Sequence, residues 1–111
     1  MTKIYLEKDD VFGYSELSVS GHSGYSEEGS DIICAYISSA CELLLNILLD
    51  NLHIDAETII NPENALIKLK ISPTKFNIDN ASFVSLCMGG FASQMKEFSN
   101  QFPKFVSITI A

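Results

Sequence analysis

Residues 21–51 read GHSGYSEEGSDIICAYISSACELLLNILLDN, and this stretch decides the architecture of the chain. Its first ten residues include three glycines and three serines, a composition typical of a loop. Ser30 or Asp31 then caps a helix that we expect to end near Asn51. Apolar residues cover nearly the whole circumference of this helix, which predicts burial on most sides, in the domain or against another subunit.

Strand-like stretches lie on both sides of this helix. Five segments alternate apolar and polar residues, the pattern of strands in a half-buried sheet: 3–7, 12–20, 53–60, 65–71 and 104–110. A second helix is predicted over residues 79–99, where Val84, Phe91 and Met95 recur at helical spacing. The order β-β-α-β-β-α-β predicts an α+β fold, a single domain over residues 1–111 with one mixed sheet and two helices on one face.

The charge of the chain excludes one class of partner. Among 111 residues, 7 are basic and 14 acidic, which gives a formal net charge of −7. All the basic residues are lysines, so no arginine is present for bidentate recognition of phosphate. Because nucleic-acid binding is driven by basic side chains that release counterions, we expect no direct nucleic-acid partner.

The apolar runs and the cysteines indicate where the protein works. The longest apolar run, residues 43–49, is interrupted by Asn46 and is too short to cross a bilayer, so no membrane partner is expected. The N-terminal segment is charged and lacks the apolar stretch of a signal peptide. Three cysteines, an odd number, favour free thiols in a reducing compartment, and we therefore expect a cytoplasmic protein.

One pair of residues carries potential chemistry. His22 ends the second predicted strand, and Cys34, 12 positions later, lies in the first turn of the predicted helix. The loop between them contains glycines and can fold back. A free thiol has a pKa of about 8.5, and both a helix N-terminus and a nearby imidazole favour its thiolate. A Cys–His pair is therefore the minimal activated nucleophile, in which the imidazole also protonates the leaving amine.

Several neighbours can assist this pair. Backbone N–H groups at the helix start, near Cys34, are candidates for an oxyanion hole. Asp31 lies one turn before Cys34 and Ser38 one turn after it, so either can orient His22. The cysteines and histidines lack the spacing of metal ligands, and no phosphate-binding glycine loop is present. We therefore expect neither a metal nor a cofactor.

A plainer interpretation of the same residues exists. A cysteine in an apolar helix is usually a small core residue, and this is how we interpret Cys41 and Cys87. Cys34 is open to the same interpretation when taken alone, and a histidine in a glycine-containing loop is usually a surface or capping residue. The pairing of the two types across one loop favours the catalytic interpretation.

Residues 21–38, GHSGYSEEGSDIICAYIS, resemble the core motif of the ribosomal-processing cysteine proteases called Prp, approximately G-H-A-G-Y-A-x-x-G-x-D-I-V-C-A-A-V-S. The likeness in length, element order and acidic charge covers nearly the whole chain. By this resemblance the family's base falls on His22, its nucleophile on Cys34, and its aspartate and serine on Asp31 and Ser38. The departures include Ser23 and Ser26 for alanines and Ile33 for valine, which are conservative, and Tyr36 for alanine, which is the largest change.

The resemblance implies an endopeptidase that removes a short N-terminal extension from bacterial large-subunit ribosomal protein twenty-seven, cutting after Phe-Phe and before Ala-Ser. It also implies a homodimer and a loop after the histidine that moves to admit the peptide. Gly21, Gly24 and Gly29 suit such a hinge, and Tyr25 is a candidate lid residue over the substrate. The alternative is a non-catalytic dimeric module that binds ribosomal protein or assembly factors.

Overall fold

Five strands form one mixed sheet in the computed structural model, which describes residues 1–26, 31–72 and 78–111. The strands are β1 (Thr2–Asp9), β2 (Gly13–Ser20), β3 (Ala56–Asn61), β4 (Leu66–Ile71) and β5 (Val106–Ile110). Their spatial order is β3-β4-β2-β1-β5, and every neighbouring pair is antiparallel except β1 and β5, which are parallel. The predicted α+β fold with a mixed sheet is confirmed.

The helices lie close to where the sequence predicts them. Helix α1 spans Ile32–Leu45 and continues as a π-helix over Asn46–Asn51, so the predicted end near Asn51 is right although the last turns are wider than α-helical ones. A 3₁₀ turn at Ile78–Asn80 leads into α2, Ala81–Gln101. Gln101 extends this helix two residues beyond the predicted end.

Strand alternation separates a core face of the sheet from an open face. On the core face, buried side chains of neighbouring strands lie opposite one another, as do Leu6 with Leu17 and Leu17 with Leu69. The helices cover this face. On the open face, Lys68 Nζ lies 3.3 Å from Glu16 Oε1, and this ion pair joins β4 to β2. The burial of one face of the sheet thus follows from the alternation of apolar and polar residues with a period of two.

Helix α1 divides into a buried side and an exposed side. Its buried residues recur at helical spacing and form the centre of the core: Ile33, Ile37, Cys41, Leu44 and, in the π-helix, Leu48. Taken as one span, Ile32–Asn51 has a mean hydropathy of 2.0 and is long and apolar enough to cross a membrane by length and composition, which the run at 43–49 alone did not indicate. The buried side accounts for only part of that composition, because 28% of the apolar window is buried inside the molecule.

Candidate active site

The start of α1 is fixed by one side chain. Asp31 has extended backbone angles, and its carboxylate accepts hydrogen bonds from the N–H groups of Ile33 and Cys34, each at 3.1 Å. This is the geometry of an N-cap, in which an acidic side chain satisfies N–H groups that lack helical partners. Asp31 is therefore the cap, and it places Cys34 in the first turn; Ser30, the other candidate, lies outside the described residues.

The turn that presents His22 requires a glycine. Gly21 has φ of +83°, and a Cβ at this position would lie 2.8 Å from the carbonyl oxygen of Met1. The hydroxyl of Thr2 donates a hydrogen bond of 3.1 Å to the Gly21 carbonyl and ties the turn to β1. The chain thus leaves β2 in a conformation that L side chains rarely adopt, immediately before His22.

The segment after His22 folds back onto the first turn of α1. The N–H of Ser23 donates to Sγ of Cys34 at 3.2 Å, and the hydroxyl of Ser23 donates to a carboxylate oxygen of Asp31. The N–H of Tyr25 donates to Oγ of Ser23 at 3.2 Å, and the N–H of Ser26 to the same Asp31 oxygen at 3.4 Å. This part of the loop is therefore anchored to the helix that carries Cys34.

A cavity of about 400 Å³ opens where this loop, α1 and the β3–β4 hairpin meet. His22, Cys34, Asp31 and Ser38 all line it, so the structure brings together four residues that lie up to 16 positions apart in the sequence. The imidazole of His22 is exposed, and Cys34 is partly exposed. Within residues 1–26, 31–72 and 78–111, no hydrogen bond joins the imidazole of His22 to Sγ of Cys34. In structures without substrate, the hydrogen bonds of catalytic pairs are often long or poorly aligned, so this geometry alone does not exclude a catalytic pair.

Asp31 does not have the role that its spacing suggested, which was to orient His22. Its carboxylate holds Ser23, Ser26 and the helix start, and in the described part of the chain it accepts no hydrogen bond from His22. Burial acts to raise the pKa of Asp31, but hydrogen bonds from the Ser23 hydroxyl and the Cys34 and Ser26 N–H groups outweigh it and hold that pKa below its ordinary value. Asp31 is thus an ionised anchor for the loop.

The oxyanion hole cannot be formed by the N–H groups first considered. Those of Ile33 and Cys34 are bound by the Asp31 side chain, and that of Ala35 by the Asp31 carbonyl at 3.1 Å. The prediction is wrong because the residue that caps the helix uses the same donors. The N–H that reaches the sulfur comes from Ser23, across the loop.

The proposed loop residues occupy different places. Tyr25 packs edge-to-face on Phe105, with ring centroids 5.4 Å apart, and it is not among the described residues that line the cavity. Gly24 has φ of +78° and open space around it, which suits a hinge. Gly29 lies outside the described residues.

Sequence reasoning missed two parts of the site. Ser23 is buried, and its hydroxyl links Asp31 to Tyr25; its only signal is that it departs from the alanine of the motif. The β3–β4 hairpin contributes a cavity wall that includes Ile60, Pro62 and Ile67, and nothing local in the sequence relates this hairpin to Cys34.

The remaining thiols and possible ligands lie elsewhere. Cys41 is buried in the core, where burial raises the pKa of its thiol to about 12, and Cys87 is half-buried on α2. All three cysteines are free. The described residues contain no cluster of three or more His, Cys, Asp or Glu side chains that is able to hold a metal ion.

Solved structures share this fold over the full length of the chain. The ribosomal processing protease Prp from S. aureus, in complex with a covalently linked product peptide, superposes with a TM-score of 0.83 at 13% identity, covering 100% of both chains. The same protease with a substrate peptide gives a TM-score of 0.81, also at 13% identity and with 100% of both chains covered. The protein SMU.848 from Streptococcus mutans gives 0.80 at 22% identity, covering 99% of this chain and 93% of its own.

Sequence comparison gives the family. No curated protein sequence matches the chain significantly. The model of the family described as cysteine protease Prp matches residues 1–107, which is nearly the whole chain and includes the loop, α1 and the β3–β4 hairpin. The chain therefore belongs to the cysteine protease Prp family.

Proposed function

We propose that this protein is a processing endopeptidase that removes a short N-terminal extension from bacterial large-subunit ribosomal protein twenty-seven, cutting after Phe-Phe and before Ala-Ser. The observation that carries the proposal is the cavity in which an exposed histidine and a partly exposed cysteine at a helix start face the same space. The related S. aureus protein is described as an essential ribosomal processing protease, and its structures hold peptides.

Cys34 is the nucleophile and His22 the base in this proposal. His22 takes the thiol proton as Sγ attacks the carbonyl carbon of the scissile bond, and it gives that proton to the leaving amine as the C–N bond breaks. Water then hydrolyses the thioester, with His22 again taking and returning a proton, which regenerates the thiol. The Ser23 N–H donates to Sγ of Cys34 and so holds the sulfur beside the cavity that His22 also lines.

Loop opening and closing is the second part of the proposal. Gly21 and Gly24 have positive φ values on either side of His22 and Ser23, so the segment bearing the base can pivot at these two points. The anchors from Asp31 hold it in the closed position. Hydrogen exchange at residues 24–26 in the free enzyme tests this: fast exchange that slows with bound peptide supports gating, whereas protection before binding means that the site is preformed.

We further propose that the protein is a homodimer that works in the cytoplasm without a cofactor, a nucleic acid or a membrane. Support for the dimer is an apolar groove of about 590 Å³ between α1 and α2, beside Tyr36, Leu43 and Leu86, which are 50%, 62% and 75% exposed. Leu43→Glu is expected to convert a dimer into a monomer in light scattering, and a dimer that survives this change would place the contact elsewhere.

The central experiment is cleavage of a peptide that contains Phe-Phe-Ala-Ser, followed by mass spectrometry. One cut between Phe and Ala supports the proposal, and an uncut peptide contradicts it. Alkylation by iodoacetamide at neutral pH separates the enzyme from the non-catalytic binding module. Fast labelling of Cys34 alone favours the enzyme, and slow labelling of all three cysteines favours the module.

A further inference from the structure

Part of the cavity wall opposite α1 belongs to a row of apolar side chains that crosses the sheet. Ile60, Ile67, Val19, Ile4 and Ile108 are register partners on successive strands, in the order β3, β4, β2, β1 and β5. Register partners point to the same face of the sheet, so these five side chains form one continuous line on the core face. We refer to them as the apolar row.

Exposure rises steeply along the apolar row toward the edge of the sheet. Ile4 and Val19 are 2% and 5% exposed, Ile67 is half-buried, and Ile60 is 61% exposed. The helices cover the middle of the row but leave its β3 end open. Since neighbouring strands lie about 4.8 Å apart, the part of the row from the buried Val19 to the exposed Ile60 spans about 10 Å.

This open end faces the candidate catalytic residues. Val19, Ile67 and Ile60 line the same cavity as Cys34, and Ile37 of α1 lines it from the helix side. A cavity of about 400 Å³ is within the range of small-ligand sites and suits a few side chains of an extended peptide rather than a folded partner.

We propose that Val19, Ile67 and Ile60 form the floor of a subsite for a large apolar side chain, such as that of phenylalanine, leucine or methionine, next to the scissile bond, and that Ile60 determines its selectivity. The inference rests on the proposed function. An apolar floor releases water when it receives an apolar side chain and gives nothing to compensate the desolvation of a charged one. The subsite therefore rejects peptides with Asp, Glu or Lys at this position.

The neighbouring residue offers a matched control. Ile59 is the same residue type on the same strand and is 52% exposed, but it pairs with Lys68 on the open face and is not among the described residues that line the cavity. Ile60→Glu and Ile59→Glu are thus the same chemical change, one residue apart, on opposite faces of β3. Ile60→Ala provides a milder change that keeps the strand if the charged variant fails to fold.

The test measures kcat/KM for peptides that carry Phe, Ala, Glu or Lys at the two residues before the cut. For the Phe peptide, Ile60→Ala and Ile60→Glu are expected to lower kcat/KM by about 10- to 100-fold, mainly through KM, because one apolar contact is lost. Ile60→Glu is expected to cleave the Lys peptide faster than the native enzyme does. Ile59→Glu stays within about twofold of the native enzyme on every peptide, and its rate of Cys34 alkylation by iodoacetamide stays unchanged.

The outcomes separate the two proposals. A native enzyme that cuts none of these peptides overturns the proposed function together with the subsite. If the native enzyme cuts these peptides but the Ile60 and Ile59 variants have the same kcat/KM values, the subsite is overturned and the proposed function stands. Ile60→Glu and Ile59→Glu could also lose activity equally while a dimer dissociates in light scattering. That result would assign the β3 edge to a contact between two copies, and it would also overturn the subsite.

Discussion

The first and third turns of α1 each carry a cysteine on the same side of the helix, seven residues apart, yet the two thiols differ in environment. Cys34 lines the cavity and accepts the Ser23 N–H. Cys41 is 1% exposed, and burial raises the pKa of its thiol to about 12. Both residues lie in one helix, so the difference comes from where each lies along it and from what surrounds it. The tertiary surroundings decide which thiol is available for chemistry.

The two regions also differ in how their polar groups are satisfied. Around Cys34, the carboxylate of Asp31 and the hydroxyl of Ser23 join the loop to the helix start. Around Cys41, the neighbours are apolar residues of the core. A polar network holds a geometry that a reaction needs, whereas apolar packing contributes to the free energy of unfolding and suppresses thiol reactivity.

The largest expected effect contrasts the two cysteines directly. Cys34→Ser replaces the nucleophile by a hydroxyl that stays protonated, so cleavage of the Phe-Phe-Ala-Ser peptide is expected to fall by about 10⁴-fold or more. Cys41→Ala is the matched control and is expected to retain kcat/KM within a few fold. Peptide turnover measured for both variants checks this, and a Cys34→Ser enzyme that remains active would assign the nucleophile to another residue.

Removal of the base has the next largest effect. His22→Ala is expected to slow cleavage by about 10²- to 10⁴-fold, the usual contribution of general acid–base catalysis. His53→Asn is the control, because His53 is exposed, lies away from the cavity and has a φ of +53° that asparagine tolerates. The measurement is kcat against pH; a profile that is the same in the His22→Ala variant and the native enzyme argues against His22 as the base.

The polar network at the first turn is tested by Asp31→Asn. The amide oxygen still caps the helix, but the amide nitrogen no longer accepts the Ser26 N–H, so we expect intact helicity in circular dichroism and a loss of about 10-fold in kcat/KM. Faster hydrogen exchange at residues 24–26 is expected in the same variant. Unchanged exchange there would mean that Asp31 does not anchor the loop.

The lowered pKa of Asp31 also predicts an acid dependence. The pKa of Asp31 is lower in the folded state than in the unfolded state. At pH values above the ordinary pKa, the ionised carboxylate therefore increases the free energy of unfolding. This contribution is lost as the pH falls through the folded-state pKa. In urea denaturation, the native protein should therefore lose more stability than Asp31→Asn as the solution is acidified. If the free energy of unfolding falls equally with pH in the two proteins, ionised Asp31 does not contribute to the acid dependence.

The smallest effect concerns Cys41 at high pH. Its pKa rises from 9.0 to about 12 on folding, so above pH 9 the unfolded chain releases a proton that the folded chain keeps, and stability falls as pH rises. Between pH 7.5 and pH 10 the native protein should lose about 1 kcal/mol relative to Cys41→Ala. Urea denaturation of both at the two pH values measures this, and an unchanged difference would show that the thiol titrates normally.

Local patterns were enough to predict much of this molecule. The period-two alternation placed five strands, and the position of Asp31 before an apolar run placed the start of α1 and hence Cys34. These features depend on residues a few positions apart, where backbone sterics and capping act. The π-helical end at Asn46–Asn51 was not foreseen because no residue type marks that change of hydrogen bonding.

The sequence by itself therefore determined the element order, the single buried face of the sheet and the pairing of a histidine loop with a cysteine at a helix start. Only the tertiary structure decided that Ser23 donates to the sulfur, that Asp31 consumes the N–H groups expected for an oxyanion hole, and that Ile60 faces the cavity while Ile59 does not. The physical reason is that strand register and packing between distant segments determine which hydrogen-bond donors are used and which way side chains point. A register shift of one residue would move every side chain of a strand to the other face of the sheet.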